Sequence, residues 1–187
     1  MHINWSCLDA VNSKHKIQGK IFPKSVEFIE FSNNYDYSIL KKAFPNVTIF
    51  RAGVIVIDDL TESILLVRER QCISTSGKFY DSRYNFPKGG AEIFDITAVD
   101  TAFRELKEET GIVPTEADYI LNTVFVLFRD NSQVIIYFIL VVAKKPEIII
   151  SEDELDGYTW ISRKTKLDLT LTEPTVQVLH ELGNVCR

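Results

Sequence analysis

Residues 104–112 run Arg104-Glu105-Leu106-Lys107-Glu108-Glu109-Thr110-Gly111-Ile112. On a helix, the three and four residue spacings among Glu105, Glu108 and Glu109 bring their carboxylates to one face. Three gathered anions repel, and Arg104 alone cannot neutralise them. A cation is therefore expected between them, and oxygen-only ligands suit Mg²⁺, with Mn²⁺ as the alternative. The competing reading is an ordinary solvated acidic face. Working outward, Ala98, Ala102 and Leu106 recur by four along one side, and Gly111 stands where a helix-ending glycine belongs, so a helix over 97–110 is predicted.

Upstream, Tyr84-Asn85-Phe86 reads as a strand entering a tight turn at Pro87-Lys88-Gly89-Gly90. Gly90 stands fourteen residues before Arg104, and a glycine turn can bring bare backbone close to a metal. This context favours the cation over the solvated face. Arg51–Ile57 and Ser63–Glu69 are apolar runs around Asp58-Asp59-Leu60-Thr61 and predict a hairpin. Residues 71–83 are polar and read as a loop. Downstream, strands are expected over Ile120–Arg129, Gln133–Ala143 and Tyr158–Ile161. A last helix is expected over Thr172–Leu182, with Thr172 as N-cap and Val176, Leu179 and Leu182 facing inward. Before all of these, Ser25–Phe31 reads as a strand and Asp36–Phe44 as a short helix ending at Pro45. The chain therefore divides into a structured extension over 1–49, packed on a main domain over 50–187. The fold class is α/β, a sandwich around a mixed sheet.

The 187 residues suit one core of ordinary size. A net charge of −5 and a pI of about 5.3 disfavour a nucleic-acid partner, which needs a basic surface. The three cysteines, Cys7, Cys72 and Cys186, have no metal-ligand spacing, so a reduced intracellular chain is the simplest reading. No signal-peptide core precedes Lys20, and the apolar run Val134–Ala143 is half a membrane span. The expected location is the cytoplasm, with the nucleus open, and oligomeric state does not follow from the text.

Residues 89–112 resemble the Nudix box, G-x5-E-x7-R-E-U-x-E-E-x-G-U with U a bulky apolar residue. Arg104, Glu105, Leu106, Glu108, Glu109, Gly111 and Ile112 fill the second half completely. The first half departs. Asp95 stands where glutamate is usual, and eight residues instead of seven separate it from Arg104. A one-residue insertion before the helix, with Asp95 in the distal acidic role, accounts for both. The resemblance implies a Nudix-type α/β/α sandwich and Mg²⁺-dependent attack of water on a phosphoanhydride. It assigns the metal to Glu105, Glu108, Glu109 and the Gly89 carbonyl. Arg104 would fix the glutamates, and one carboxylate, from the box or from a later loop, would act as base. None of His2, His15 and His180 lies near the motif.

The flanks bear on the substrate, a small phosphate-bearing anion. Pro87-Lys88-Gly89-Gly90-Ala91-Glu92 resembles the opening of fungal diphosphoinositol polyphosphate phosphohydrolases, which also cleave dinucleoside polyphosphates. By that likeness Arg51 would grip phosphate, with Arg68, Arg70, Lys88 and Gly90 at the same mouth. Glu173-Pro174 departs from that group, which carries a basic residue before the proline. Glu154-Leu155-Asp156-Gly157-Tyr158-Thr159-Trp160 resembles a segment of diadenosine tetraphosphate hydrolases, implying a catalytic part for Glu154 and a stacking face on Tyr137. Against these stand ordinary strand-end arginines, a core Tyr137 and a solvated Glu154. A pyrophosphohydrolase of nucleoside-diphosphate sugars, a decapping enzyme and a non-catalytic binding module remain the alternatives.

Overall fold

In the computed structural model, residues 26–28, 35–73, 77, 79–128, 132–162 and 168–184 are described. Ten strands and three helices follow in the order β1 (Val26–Phe28), α1 (Tyr37–Ala43), β2 (Ile49–Asp58), β3 (Ser63–Glu69), β4 (Cys72–Ile73), β5 (Phe79–Tyr80), β6 (Arg83–Asn85), β7 (Lys88–Gly90), α2 (Ala98–Thr110), β8 (Tyr119–Phe128), β9 (Gln133–Val142), β10 (Leu155–Ile161) and α3 (Glu173–Leu179). A π-helical turn at His180–Asn184 extends α3.

The central sheet runs β1-β8-β9-β2-β3-β10, with β7 joined to β2 and β6 to β3. β2 and β9 are parallel over their full length, while β8–β9, β1–β8 and β3–β10 are antiparallel, so the sheet is mixed as expected. Both central strands are apolar on both faces, which marks a sheet covered on both sides. On one face Ala52, Val54 and Val56 pack with Ala98, Ala102 and Leu106 of α2 and with Tyr37 and Leu40 of α1. On the other, Ile55, Ile57 and Tyr137 pack with Val178, Leu179 and Leu182. The result is the α/β/α sandwich.

Helix α2 begins at a reciprocal cap. The Thr97 hydroxyl accepts from the Asp100 amide at 3.1 Å while the Asp100 carboxylate accepts from the Thr97 amide at 2.8 Å. Gly111 ends it at φ 71°, a left-handed turn that glycine adopts without strain.

Five expectations differ in detail. The β2–β3 hairpin is zipped only at Ile57–Ile64 and Asp58–Ser63; farther out β7 pairs with β2 and β6 with β3. Lys88-Gly89-Gly90, expected as a turn, is therefore a strand. Within 71–83, β4 and β5 form a two-stranded pair instead of a plain loop. At the C-terminus Val176 is exposed, and Thr175, Val178, Leu179 and Leu182 face the core. Thr172 occupies the N-cap position with no side-chain cap bond, its carbonyl accepts from the Val176 amide at 3.0 Å, and its hydroxyl meets that of Thr175 at 2.9 Å. Of the expected first strand, only Val26–Phe28 lies within the described residues.

Candidate active site

The pairing of β2 with β7 builds the floor. Arg51 lies opposite Gly90, Ala52 opposite Gly89 and Gly53 opposite Lys88. Side chains alternate along a strand. Gly89 therefore faces α2 together with Ala52, whereas Arg51 and Lys88 turn to the opposite face, that of α3. Gly89 touches the helix closely: a Cβ there would collide with all three carboxyl atoms of Glu105. Only glycine lets this carboxylate lie over the strand.

Arg104 organises the acidic side. Its Nη1 donates to Glu105 Oε1 and to Glu108 Oε2, both at 2.8 Å. Its Nη2 donates to the Gly90 carbonyl at 2.8 Å and to Asp95 Oδ2 at 2.9 Å, and Nε reaches Asp95 Oδ1 at 3.3 Å. Asp95 is buried and accepts further from the Glu92 amide and the Thr101 hydroxyl. Burial raises its pKa, but Arg104, that amide and Thr101 together outweigh the burial and hold it below the usual carboxylate range. Glu109 behaves oppositely. Burial, reinforced by the charges of Glu105 and Glu154, pushes its carboxyl up to about 8, against the pull of Lys88, whose amide donates to Oε2 at 3.2 Å. Burial likewise raises Glu105, with Glu108 and Glu154 adding to it against Arg104. Glu154 itself is exposed at the entry to β10.

This is a donor set of hard oxygens with excess negative charge, two of its members half-buried or deeper, laid over a glycine that leaves room. It fits a divalent cation. Among the described residues no three acidic side chains surround a single point in the arrangement seen, because Glu105 and Glu108 are turned to Arg104.

The other face carries the basic candidates. Arg51 Nε is buried without a hydrogen-bond partner. Lys88 is drawn to Glu69, Nζ to Oε1 at 2.7 Å, and Asn85 Nδ2 donates to the same oxygen at 3.0 Å. Burial opposes the charge on Glu69, yet Lys88, Asn85 and Arg51 keep its pKa lowered. Arg68 pairs with Asp156 at 2.5 Å, and Arg70 Nε donates to the Leu155 carbonyl at 3.0 Å. Arg68, Arg70 and Asp156, with Gln71 and Ser82, line a cavity of about 490 Å³ beside β10.

Two expectations need correction. Tyr137 has no exposed surface; it packs edge-on against Phe86 at 5.4 Å, with its hydroxyl 3.4 Å from Asn85 Oδ1. It offers no stacking face, because the β9 position next to Gly53 is core. Lys88 is not a free cation, because Glu69 holds it. Glu69 and Asn85 were not singled out by sequence, since no local pattern ties either to Lys88 or to Thr175, which donates to Asn85 Oδ1 at 2.8 Å. His2 and His15 lie outside the described residues, and His180 sits beside Glu181 at 3.5 Å.

Comparison with known proteins agrees with the geometry. The structure superposes on an Ap4A hydrolase of C. elegans with a TM-score of 0.55 at 18% identity, covering 71% of this chain and 95% of that one. The NUDIX domain of Shewanella oneidensis NrtR, solved with ADP ribose, gives 0.55 at 20% identity, covering 76% and 89%. A bifunctional NMN adenylyltransferase/ADP ribose pyrophosphatase from Francisella tularensis, solved with AMP and a Mn ion, gives 0.52 at 18%, covering 78% of this chain and 45% of that chain. No curated protein matches the sequence. These likenesses establish the fold, and the family model for the NUDIX domain matches residues 48–182, most of the chain. The chain belongs to the NUDIX domain family of hydrolases.

Proposed function

We propose that this protein hydrolyses a phosphoanhydride bond in a small polyphosphorylated molecule, with a dinucleoside polyphosphate ahead of a diphosphoinositol polyphosphate. The carrying observation is an acidic cluster (Glu105, Glu108, Glu109 over Gly89) at one end of the sheet and, at the neighbouring β2 position on the sheet's other face, Arg51, whose buried Nε lacks a partner. A buried, unpaired guanidinium donor costs stability, and a phosphate oxygen is the ligand that would offset that cost.

Mg²⁺, or Mn²⁺ in its stead, would supply positive charge against the phosphate oxygens, held by Glu105, Glu108, Glu109 and the Gly89 carbonyl. Arg104, itself fixed by Asp95, keeps the rotamers of Glu105 and Glu108. Arg51 orients the phosphate chain. Water attacks phosphorus in line, forming one P–O bond as the bridging P–O bond breaks. Glu154 is the carboxylate we assign to take the water's proton, because its charge is felt at both Glu105 and Glu109.

The ranking of substrates rests on charge. A fully phosphorylated inositol ring needs a surplus of cations. Here Lys88 faces Glu69, Arg68 faces Asp156, and Glu173 adds another acid on α3. A dinucleoside chain carries fewer phosphates and asks less of the mouth. With Tyr137 buried, Tyr158, 46% exposed on β10, is the aromatic face we assign to a base.

Product profiles with Mg²⁺ test the proposal on a diphosphoinositol pentakisphosphate, diadenosine tetra- and hexaphosphate, ADP-ribose and a capped RNA. Wild type and Glu108→Gln are to be compared. Dinucleotide cleavage abolished in the variant is expected. Preference for the inositol compound would overturn the ranking. Silence across the panel with either metal would overturn hydrolysis and favour a binding module.

A further inference from the structure

The segment that precedes the matched family domain reaches the acidic cluster through a chain of hydrogen bonds. Residues 35–37 dock on the loop before α2. The Tyr37 amide donates to the Ile96 carbonyl at 3.1 Å and the Ala98 amide to the Tyr35 carbonyl at 2.8 Å, with Asp36 and Thr97 bridged between them. This seats α1 so that the Tyr37 ring lies edge-on to Phe50 and its hydroxyl enters the core, 2.7 Å from Thr101 Oγ1.

The direction of that bond follows from proton count. Thr101 has one hydroxyl hydrogen, and it goes to Asp95 Oδ2 at 2.8 Å. Thr101 must therefore accept from Tyr37. The chain reads Tyr37 O–H to Thr101 and Thr101 O–H to the Asp95 carboxylate, which also accepts from Nε and Nη2 of Arg104. Arg104 in turn holds Glu105 and Glu108. The two hydroxyl bonds run donor to acceptor toward Asp95, so the first polarises the second, and Arg104 meets the same carboxylate as a donor from the other side. Thr101 has no exposed surface, and Asp95 and Tyr37 are nearly as buried. The two hydroxyl bonds are therefore shielded from solvent.

We propose that Tyr37 is a positioning residue for the hydrolytic centre: through Thr101 and Asp95 it fixes the plane of the Arg104 guanidinium, and with it the Glu105 and Glu108 carboxylates. The extension is then part of the working site. This rests on the reading that Arg104 and its glutamates are that centre.

The test compares Tyr37→Phe, Thr101→Val and Thr101→Ser in the full chain. Turnover of the best substrate and Mn²⁺ affinity, by EPR of free Mn²⁺, are to be measured beside the melting temperature. Partners outside a ligand shell typically matter by 10–100-fold, so one step farther out Tyr37→Phe is expected to cost roughly three- to tenfold. The loss should fall on kcat and Mn²⁺ affinity with KM nearly unchanged. Thr101→Val should lose as much, and the double variant Tyr37→Phe/Thr101→Val no more than either. Thr101→Ser, which keeps the hydroxyl but loses a buried methyl, should melt lower yet bind Mn²⁺ and turn over as wild type. Unchanged Mn²⁺ affinity in both Tyr37→Phe and Thr101→Val, or losses that simply follow melting temperature across the set, would overturn the relay. A wild type that binds Mn²⁺ but hydrolyses nothing would instead remove the proposed function, and the Mn²⁺ titrations would still decide the relay.

Discussion

Three glycines in one corner of the sheet should answer alanine in three different ways. At Gly89 the added Cβ would sit well inside 3.0 Å of the Glu105 carboxyl carbon and both its oxygens. Those atoms end a flexible side chain, so Glu105 can yield by rotating, at about 0.5–1.5 kcal/mol for an off-rotamer torsion. To regain ordinary contact its carboxylate must move by more than ~1 Å, and misplacement on that scale costs on the order of 100-fold in rate. Gly89→Ala should therefore fold, melt within a few degrees of wild type, and lose about two orders of magnitude in kcat. At Gly90 nothing lies within 4 Å, and Gly90→Ala should be indistinguishable from wild type. At Gly53 the Cβ would meet the Pro87 carbonyl, Lys88 Cβ at 2.6 Å and Tyr137 Cε1 at 2.9 Å. Backbone and a fixed ring cannot swing away, so Gly53→Ala should lose stability first, by several kcal/mol as for severe overpacking. Circular-dichroism melts and steady-state kinetics on the three proteins are sufficient. A Gly89→Ala enzyme with wild-type kcat would refute the claim that Glu105 must lie over that strand for the reaction to proceed.

Arg51→Met should leave the melting temperature unchanged or slightly higher, because it deletes a buried unpaired donor, while KM rises about 10–100-fold for a lost charged hydrogen bond; a wild-type KM would remove Arg51 from the substrate site. Tyr137→Phe should cost under about 1 kcal/mol in denaturant melts and leave KM alone, since its bond to Asn85 is long and Asn85 keeps Thr175; a raised KM would restore Tyr137 as a ligand residue. Asp95 has its pKa lowered by folding, so its contribution is present above the unfolded value of about 3.9 and is lost as pH falls through the folded one. Asp95→Asn should thus be less stable at neutral pH, on the order of 2–3 kcal/mol because Arg104 keeps two glutamates, and should show a flatter acid limb below about pH 5 in a stability–pH series; an unchanged limb would contradict the assignment. Saturating Mn²⁺ at about 100 times Kd should stabilise wild type by about 2.7 kcal/mol in thermal melts, and chelation should reverse it.

What could be read in the sequence was whatever short covalent spacing dictates. The glutamates and Arg104 share one helix, so period alone put them together, and Thr97 and Gly111 marked its ends within a residue. The long apolar β2 and β9 declared a covered sheet in the same way. Lys88-Gly89-Gly90 reads as a turn because glycine favours turns, yet the backbone there pairs with β2. Cys72–Ile73 and Phe79–Tyr80 are too short to show alternation. Val176 reads inward from its three-residue steps to Leu179 and Leu182, yet it is exposed, and the inward set is Thr175, Val178 and Leu179 of α3 with Leu182 of the π-helical turn. The charge state of the mouth was illegible for a different reason. Whether Lys88, Arg68 and Arg70 are free depends on Glu69, Asp156 and the Leu155 carbonyl, up to eighty-eight residues away.

The departure from the box pattern and the extension, which looked unrelated in the sequence, meet at one place. Aspartate is one methylene shorter than the glutamate usual at this place in the box. Asp95 takes the guanidinium on two nitrogens while also accepting from the Glu92 amide and the Thr101 hydroxyl. The next residue, Ile96, offers the carbonyl that receives the Tyr37 amide. Restoring the family spacing by deleting Ile96 with Asp95→Glu would therefore repair the box on paper while removing the docking edge of residues 35–37. That variant should be less stable than wild type and no better an enzyme. If it gained activity, insertion and extension would be independent features, and the Tyr37 chain would lose its foundation.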